Sequence, residues 1–138
     1  MTDRRTFIAA ATALATAGAA AAAELPNGAS PAVNTYPKLV HHVFFWLKNP
    51  ESRDDLQKLL AGLRTLAKIE TVRGVHFGVP ASTEKRDVVD NSYSASEILF
   101  FDDLAGQKTY QDHPVHKKFV EDCSDLWEKV VVYDALAV

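Results

Sequence analysis

A phenol and two imidazoles fall within seven residues of this chain, in Tyr110-Gln-Asp-His-Pro-Val-His116. A phenol can donate to an oxygen that gains negative charge, and a neutral imidazole can take up a proton near neutral pH. That makes the segment a candidate for proton transfer. Pro114 marks the start of a helix, because its missing N–H is unpaired in a first turn anyway. Asp112 or His113 then sits near the N-cap. From His116 onward, Phe119, Val120, Cys123 and Trp127 recur at helical spacing and predict one apolar stripe. His116 lies on that stripe and is expected to point inward, where burial depresses an imidazole pKa. A core histidine bonded to a backbone carbonyl fits the same spacing.

The elements that must position these groups alternate along the chain. Leu39 to Lys48 reads as a strand, with Leu39, His41, Val43, Phe45 and Leu47 on one face and Val40, His42, Phe44 and Trp46 on the other. Both faces are apolar, so both need cover. A helix opens near Asn49-Pro50 or Ser52, and Leu56, Leu59, Leu60, Leu63 and Ala67 mark its buried side. Val72 to Val79 is a second strand, Pro80 to Ser92 a polar loop, and Tyr93 to Phe101 a third strand. Asp102-Asp103 caps a short helix through Tyr110. The helix from Pro114 ends near Asp125, and Lys129 to Tyr133 is the fourth strand.

The order is βαββαβ with the second helix split at Pro114. That is an α+β, ferredoxin-like antiparallel sheet with helices on one face. The other face would stand in water with half the apolar residues of the first strand. A second copy packed about a two-fold axis is the simplest cover. The expectation is a homodimer, a dimeric α/β barrel.

Residues 1–23 carry Arg4-Arg5, an apolar run from Phe7 to Leu14 and an alanine tract ending at Ala23. Charged, apolar and small-residue regions in that order describe an export signal peptide. Thr2-Asp-Arg-Arg-Thr-Phe-Ile8 resembles the twin-arginine type, which implies a periplasmic or secreted bacterial protein. The run is short and alanine-rich for a membrane span, so no stable membrane anchor is expected. Residues 24–37, punctuated by Pro26, Gly28, Pro31 and Pro37, read as a linker, and 38–138 as the domain. Loss of residues 1–23 takes the net charge from −3 to −4. An acidic domain without a basic patch does not suit nucleic acid. Cys123 is the one cysteine, so no intrachain disulfide can form. Its place on the apolar stripe predicts a buried small hydrophobe.

From about residue 38 to 134 the chain resembles the stress-responsive A/B barrel (Dabb) domain, of the dimeric α+β barrel superfamily. The resemblance rests on Leu39-Val-His-His-Val-Phe-Phe-Trp-Leu-Lys48, Phe100-Phe-Asp-Asp-Leu104, Tyr110-Gln-Asp-His-Pro-Val-His116 and Val130-Val-Val-Tyr-Asp134. It implies the same dimeric barrel. A distantly similar protein, olivetolic acid cyclase, closes a linear polyketide by an aldol step without a cofactor, using a histidine and a tyrosine. Those positions match His116 and Tyr110, and His41 matches a pocket histidine. This sequence departs at Ala95, where the cyclase has another histidine, at Trp46, and throughout the loop 80–92.

The resemblance therefore implies cofactor-independent cyclase- or lyase-type chemistry on a small apolar or aromatic carbonyl compound. His116 would be the base and Tyr110 the donor or orienter. His41, Phe45, Phe77 and His113 are the expected ligand contacts, with no cofactor and no metal. Two other uses fit the same residues. A non-catalytic module could hold an apolar ligand among the aromatic side chains. His113 and His116, with His41, His42 or His76, could share a metal ion.

Overall fold

The computed structural model describes residues 36–138. The expected signal, and the expected linker up to residue 35, lie outside these residues. Four strands form one sheet: β1 (Leu39–Leu47), β2 (Gly74–Gly78), β3 (Ala95–Phe101) and β4 (Trp127–Leu136). Three helices cross it: α1 (Arg53–Thr65), α2 (Leu104–Asp112) and α3 (Pro114–Cys123). The strand order is β2-β3-β1-β4, with every neighbouring pair antiparallel. Each crossover skips one strand, so the two βαβ units interlock as in a ferredoxin-like fold.

Alternation along the strands sets the two faces. On β1 the odd positions are buried and the even ones half-buried, as the sequence pattern predicts. Leu39, Val43, Phe45 and Leu47 pack with Leu59, Leu63, Leu99 and Phe101 in the main core. The opposite face carries Val40, His42, Phe44 and Trp46, with Tyr133 and Val131 beside them on β4. Among the described residues no helix covers that face, and Tyr133 is largely exposed.

Local signals fix the helix ends. Ser52 is the N-cap of α1, its hydroxyl accepting from the Asp55 N–H at 3.2 Å, and Asp54 and Asp55 meet the positive end of the helix. Asp103 caps α2 by accepting from the Gly106 N–H at 2.7 Å. His113 is extended at φ −67°, ψ 140°, because a residue before proline is pushed out of the helical region. That break separates α2 from α3.

The C-terminal third differs from the sequence expectation. Helix α3 stops at Cys123, and a 3-10 turn over Ser124–Leu126 leads directly into β4. Trp127 is therefore the first residue of a strand and not part of a helical stripe. It reaches the same core from the sheet, with its ring 5.1 Å from Phe45 and 5.7 Å from Phe119. Strand β4 also runs longer than Lys129 to Tyr133, because pairing with all of β1 stabilises its ends. Strands β2 and β3 each begin two residues later than expected, at Gly74 and Ala95.

Candidate active site between sheet and helices

A cavity of about 270 Å³ lies between the buried face of the sheet and helices α2 and α3. Phe45, Phe119 and Trp127 give it aromatic walls. It meets solvent along the edge strand β4, where Val130 and Val132 are partly exposed. Four groups that can move or hold protons line it: His41 from β1, Glu97 from β3, Tyr110 from α2 and His116 from α3.

Each imidazole is held by its Nδ1. His116 Nδ1 donates to the Gln111 carbonyl at 3.1 Å, so Nε2 is the free acceptor of the neutral ring. Burial pulls the His116 pKa below the usual histidine value, and His41 nearby lowers it further against the opposing pull of the Gln111 carbonyl. His41 is 5% exposed, and its Nδ1 lies 2.5 Å from Asp134 Oδ1. A carboxylate can only accept there, so His41 Nδ1 is the donor and Nε2 is the ring nitrogen left without a protein partner. The rings of His41 and His116 flank Tyr110, with centroids 5.5 and 4.7 Å from the phenol.

Tyr110 and Glu97 are each 1% exposed. The Tyr110 hydroxyl donates to Glu97 Oε1 at 3.1 Å. Burial pushes the Glu97 carboxyl up to about 7, and the Tyr110 hydrogen bond opposes that rise. Burial, then the neighbouring Glu97, push the Tyr110 phenol well above the usual tyrosine range. The phenol stays protonated, and its O–H is the donor to Glu97.

The pattern of the stress-responsive A/B barrel domain matches residues 39–136. This chain belongs to the Dabb family. Among similar solved structures is a Dabb-family protein with a ferredoxin-like fold from Mesorhizobium loti. It is 25% identical with a TM-score of 0.60, over 72% of this chain and 96% of that one. A dimeric ferredoxin-like protein of unknown function from Thermobifida fusca is 20% identical with a TM-score of 0.58, over 75% and 96% of the two chains. A hydroxynitrile lyase from Passiflora edulis is 20% identical with a TM-score of 0.61, over 74% and 95%. No curated protein sequence matches the chain.

In this Dabb domain, His116, Tyr110, His41 and Phe45 come together around the cavity. Phe77 and His113 lie elsewhere. Phe77 packs against the core from β2 without lining the cavity. His113 is the N-cap of α3: its Nδ1 accepts from the Val115 N–H at 3.1 Å, and its Nε2 donates to Glu70 at 3.1 Å. Both ring nitrogens are thereby engaged outside the cavity. His42 and His76 face the opposite side of the sheet from His41, by strand alternation and pairing register. Among the described residues, no three His, Cys, Asp or Glu side chains converge as metal ligands. Cys123 is buried, as its place in the pattern predicts.

Two site residues escaped the sequence reading. Glu97 alternates with Ala95, Leu99 and Phe101 on the inward face of β3, and a charged residue at an inward strand position was the signal for it. Asp134 closes the Val130-Val-Val-Tyr-Asp134 run, but it lies 93 residues from His41, and only the β1–β4 register joins them.

Proposed function

We propose that this Dabb domain carries out cofactor-independent proton transfer of the aldol or lyase type on a small, neutral, apolar carbonyl compound. His116 is the base, through Nε2. Tyr110 is the orienter, because its hydroxyl is already directed at Glu97. His41, fixed by Asp134, presents its own Nε2 to the bound molecule. The observation that carries this reading is a half-buried imidazole, its pKa lowered by its surroundings and its Nδ1 tethered, in an apolar cavity open to solvent. A base with a pKa near the working pH is the form that such chemistry uses. The same fold houses a hydroxynitrile lyase in Passiflora edulis, so the architecture is compatible with reactions of small molecules.

The protein works as an exported homodimer in this proposal. Three similar structures, from Thermobifida fusca, Bacteroides fragilis and Jannaschia, are described as dimeric. The face of Val40, Phe44, Trp46 and Tyr133 is the surface a second copy would cover. Export rests on Arg4-Arg5 and the alanine tract that follows. Among the described residues, no helix is long and apolar enough to cross a membrane.

Proton transfer can be tested without the natural substrate. In heavy water, the protein should exchange the α-hydrogens of acetophenone faster than buffer, as read by NMR. His116→Gln should lose most of that rate. Wild-type protein no faster than buffer, or H116Q as fast as wild type, would overturn the reading. Export is tested by fractionating cells that express wild-type and R4K/R5K chains. Equal periplasmic yield from both would remove the twin-arginine assignment.

A further inference from the structure

We propose that Glu97 is the acid of this cavity, giving its proton to the substrate's carbonyl oxygen as His116 removes the neighbouring C–H proton. The inference rests on the proton-transfer reading above and adds the group that reading lacks. It also narrows the substrate to a compound whose carbonyl oxygen can take the Glu97 proton while its α-carbon faces His116.

The geometry singles out this carboxyl. Glu97 sits between Val43 on β1 and Phe77 on β2 in the sheet register, with a hydrophobic side chain on either side of it. Among the described residues no cation pairs with it, and the Tyr110 hydroxyl is its hydrogen-bonding side chain. An unpaired buried carboxylate is costly, so the site favours the neutral acid. Tyr110 donates to Oε1, which suits the carbonyl oxygen of a protonated carboxyl and leaves the acid proton on the other oxygen. Tyr110 is thus a positioning residue for Glu97.

The step balances within the cavity. The α-C–H bond breaks and its proton forms an N–H bond at His116 Nε2. The electron pair moves into the C=C bond of the enol as the carbonyl π bond opens. The Glu97 O–H bond breaks and its proton forms the enol O–H. Glu97 ends as carboxylate and His116 as imidazolium, so the net charge of the cavity is unchanged. The titratable groups that share the cavity with Glu97 are His41 from β1, Tyr110 from α2 and His116 from α3, and Tyr110 is the one bonded to it. Strand β2 presents only the uncharged Phe77.

The acetophenone exchange assay across pH decides the matter. Wild-type protein should give a bell: the rate rises as His116 loses its proton and falls as Glu97 loses its own, near pH 7. Glu97→Gln keeps the shape and a weaker donor. It should lower the maximum by roughly 10- to 100-fold and abolish the alkaline fall. Tyr110→Phe should shift the alkaline limb upward in pH, which a purely structural tyrosine would not do. An E97Q protein with wild-type rate and an unchanged alkaline limb overturns the Glu97 role while leaving His116 as base. No exchange by wild-type protein fails both readings together. Should E97Q not fold, NMR of carboxyl-labelled glutamate in wild-type protein gives the answer. One glutamate titrating near neutrality supports the acid, and all glutamates titrating in the ordinary range overturn it.

Discussion

His41 Nδ1 and Asp134 Oδ1 lie 2.5 Å apart, joining the first strand of the domain to the last. His41 is enclosed while Asp134 is half exposed, so the carboxylate fixes the ring from the solvent side. In the wild-type protein the His41 proton should reside on Nδ1. Asp134→Asn should mix the two tautomers, visible by NMR of nitrogen-labelled histidine. It should also slow acetophenone exchange by about 10-fold, mainly through KM, as the ring loses its fixed orientation. An unchanged tautomer in D134N would mean that the pairing does not set it.

Glu97 makes stability depend on pH in an unusual direction. Its folded pKa of about 7 lies above the ordinary glutamate value of 4.5. Between those values the folded state holds a proton that the unfolded state has lost, so stability falls as pH rises through that window. The difference is worth about 3 kcal/mol at most. Urea unfolding should therefore show E97Q gaining on wild type from about pH 4 to about pH 8, by up to that amount. Parallel pH profiles for the two proteins would contradict a raised Glu97 pKa.

Removing the Tyr110 hydroxyl takes away the donor to Glu97 Oε1. Y110F should cost about 1–3 kcal/mol, since it leaves a buried acceptor without its partner. The cost should grow with pH as the carboxyl ionises. Chemical denaturation at two pH values measures both effects, and a pH-independent loss would argue that the two groups are not coupled.

Helices α1 and α3 touch at Gly62, where an added Cβ would come 2.6 Å from Cys123 Sγ and 3.0 Å from the Phe119 ring. Gly62→Ala should destabilise the domain by about 1–3 kcal/mol through overpacking, despite the better helix propensity of alanine. Adding Cys123→Ala should recover part of that loss. Additive thermal-melt shifts for the pair would place the clash elsewhere.

The open sheet face provides a test of assembly. Phe44 sits at its centre, with Tyr93 and Tyr133 in edge contact at 4.9 and 6.1 Å. Phe44→Glu should convert a dimer to a folded monomer in sedimentation experiments, because a carboxylate buried without a partner at such an interface is costly. A wild-type monomer at working concentration would remove the homodimer from the account.

The sequence determined the elements, the two faces of β1 and the break at Pro114, and it narrowed the helix caps to Asn49–Ser52 and Asp102–Asp103, from which the structure selects Ser52 and Asp103. Each depends on residues within a turn or two of one another: strand alternation, helical spacing, and a cap or proline acting on its own backbone. It also brought forward Tyr110, His116 and His41, whose types are suited to proton transfer. Only the tertiary structure decided what surrounds them. Strand order and register bring Asp134 to His41 across 93 residues and put His42 and His76 on the far side of the sheet. The path of α2 over β3 turns the Tyr110 hydroxyl toward Glu97. A 3-10 turn moves Trp127 from a helix to a strand. Periodicity says which side of an element is buried, but partners across the core follow from how elements stack, and that is settled by the packing of the whole domain.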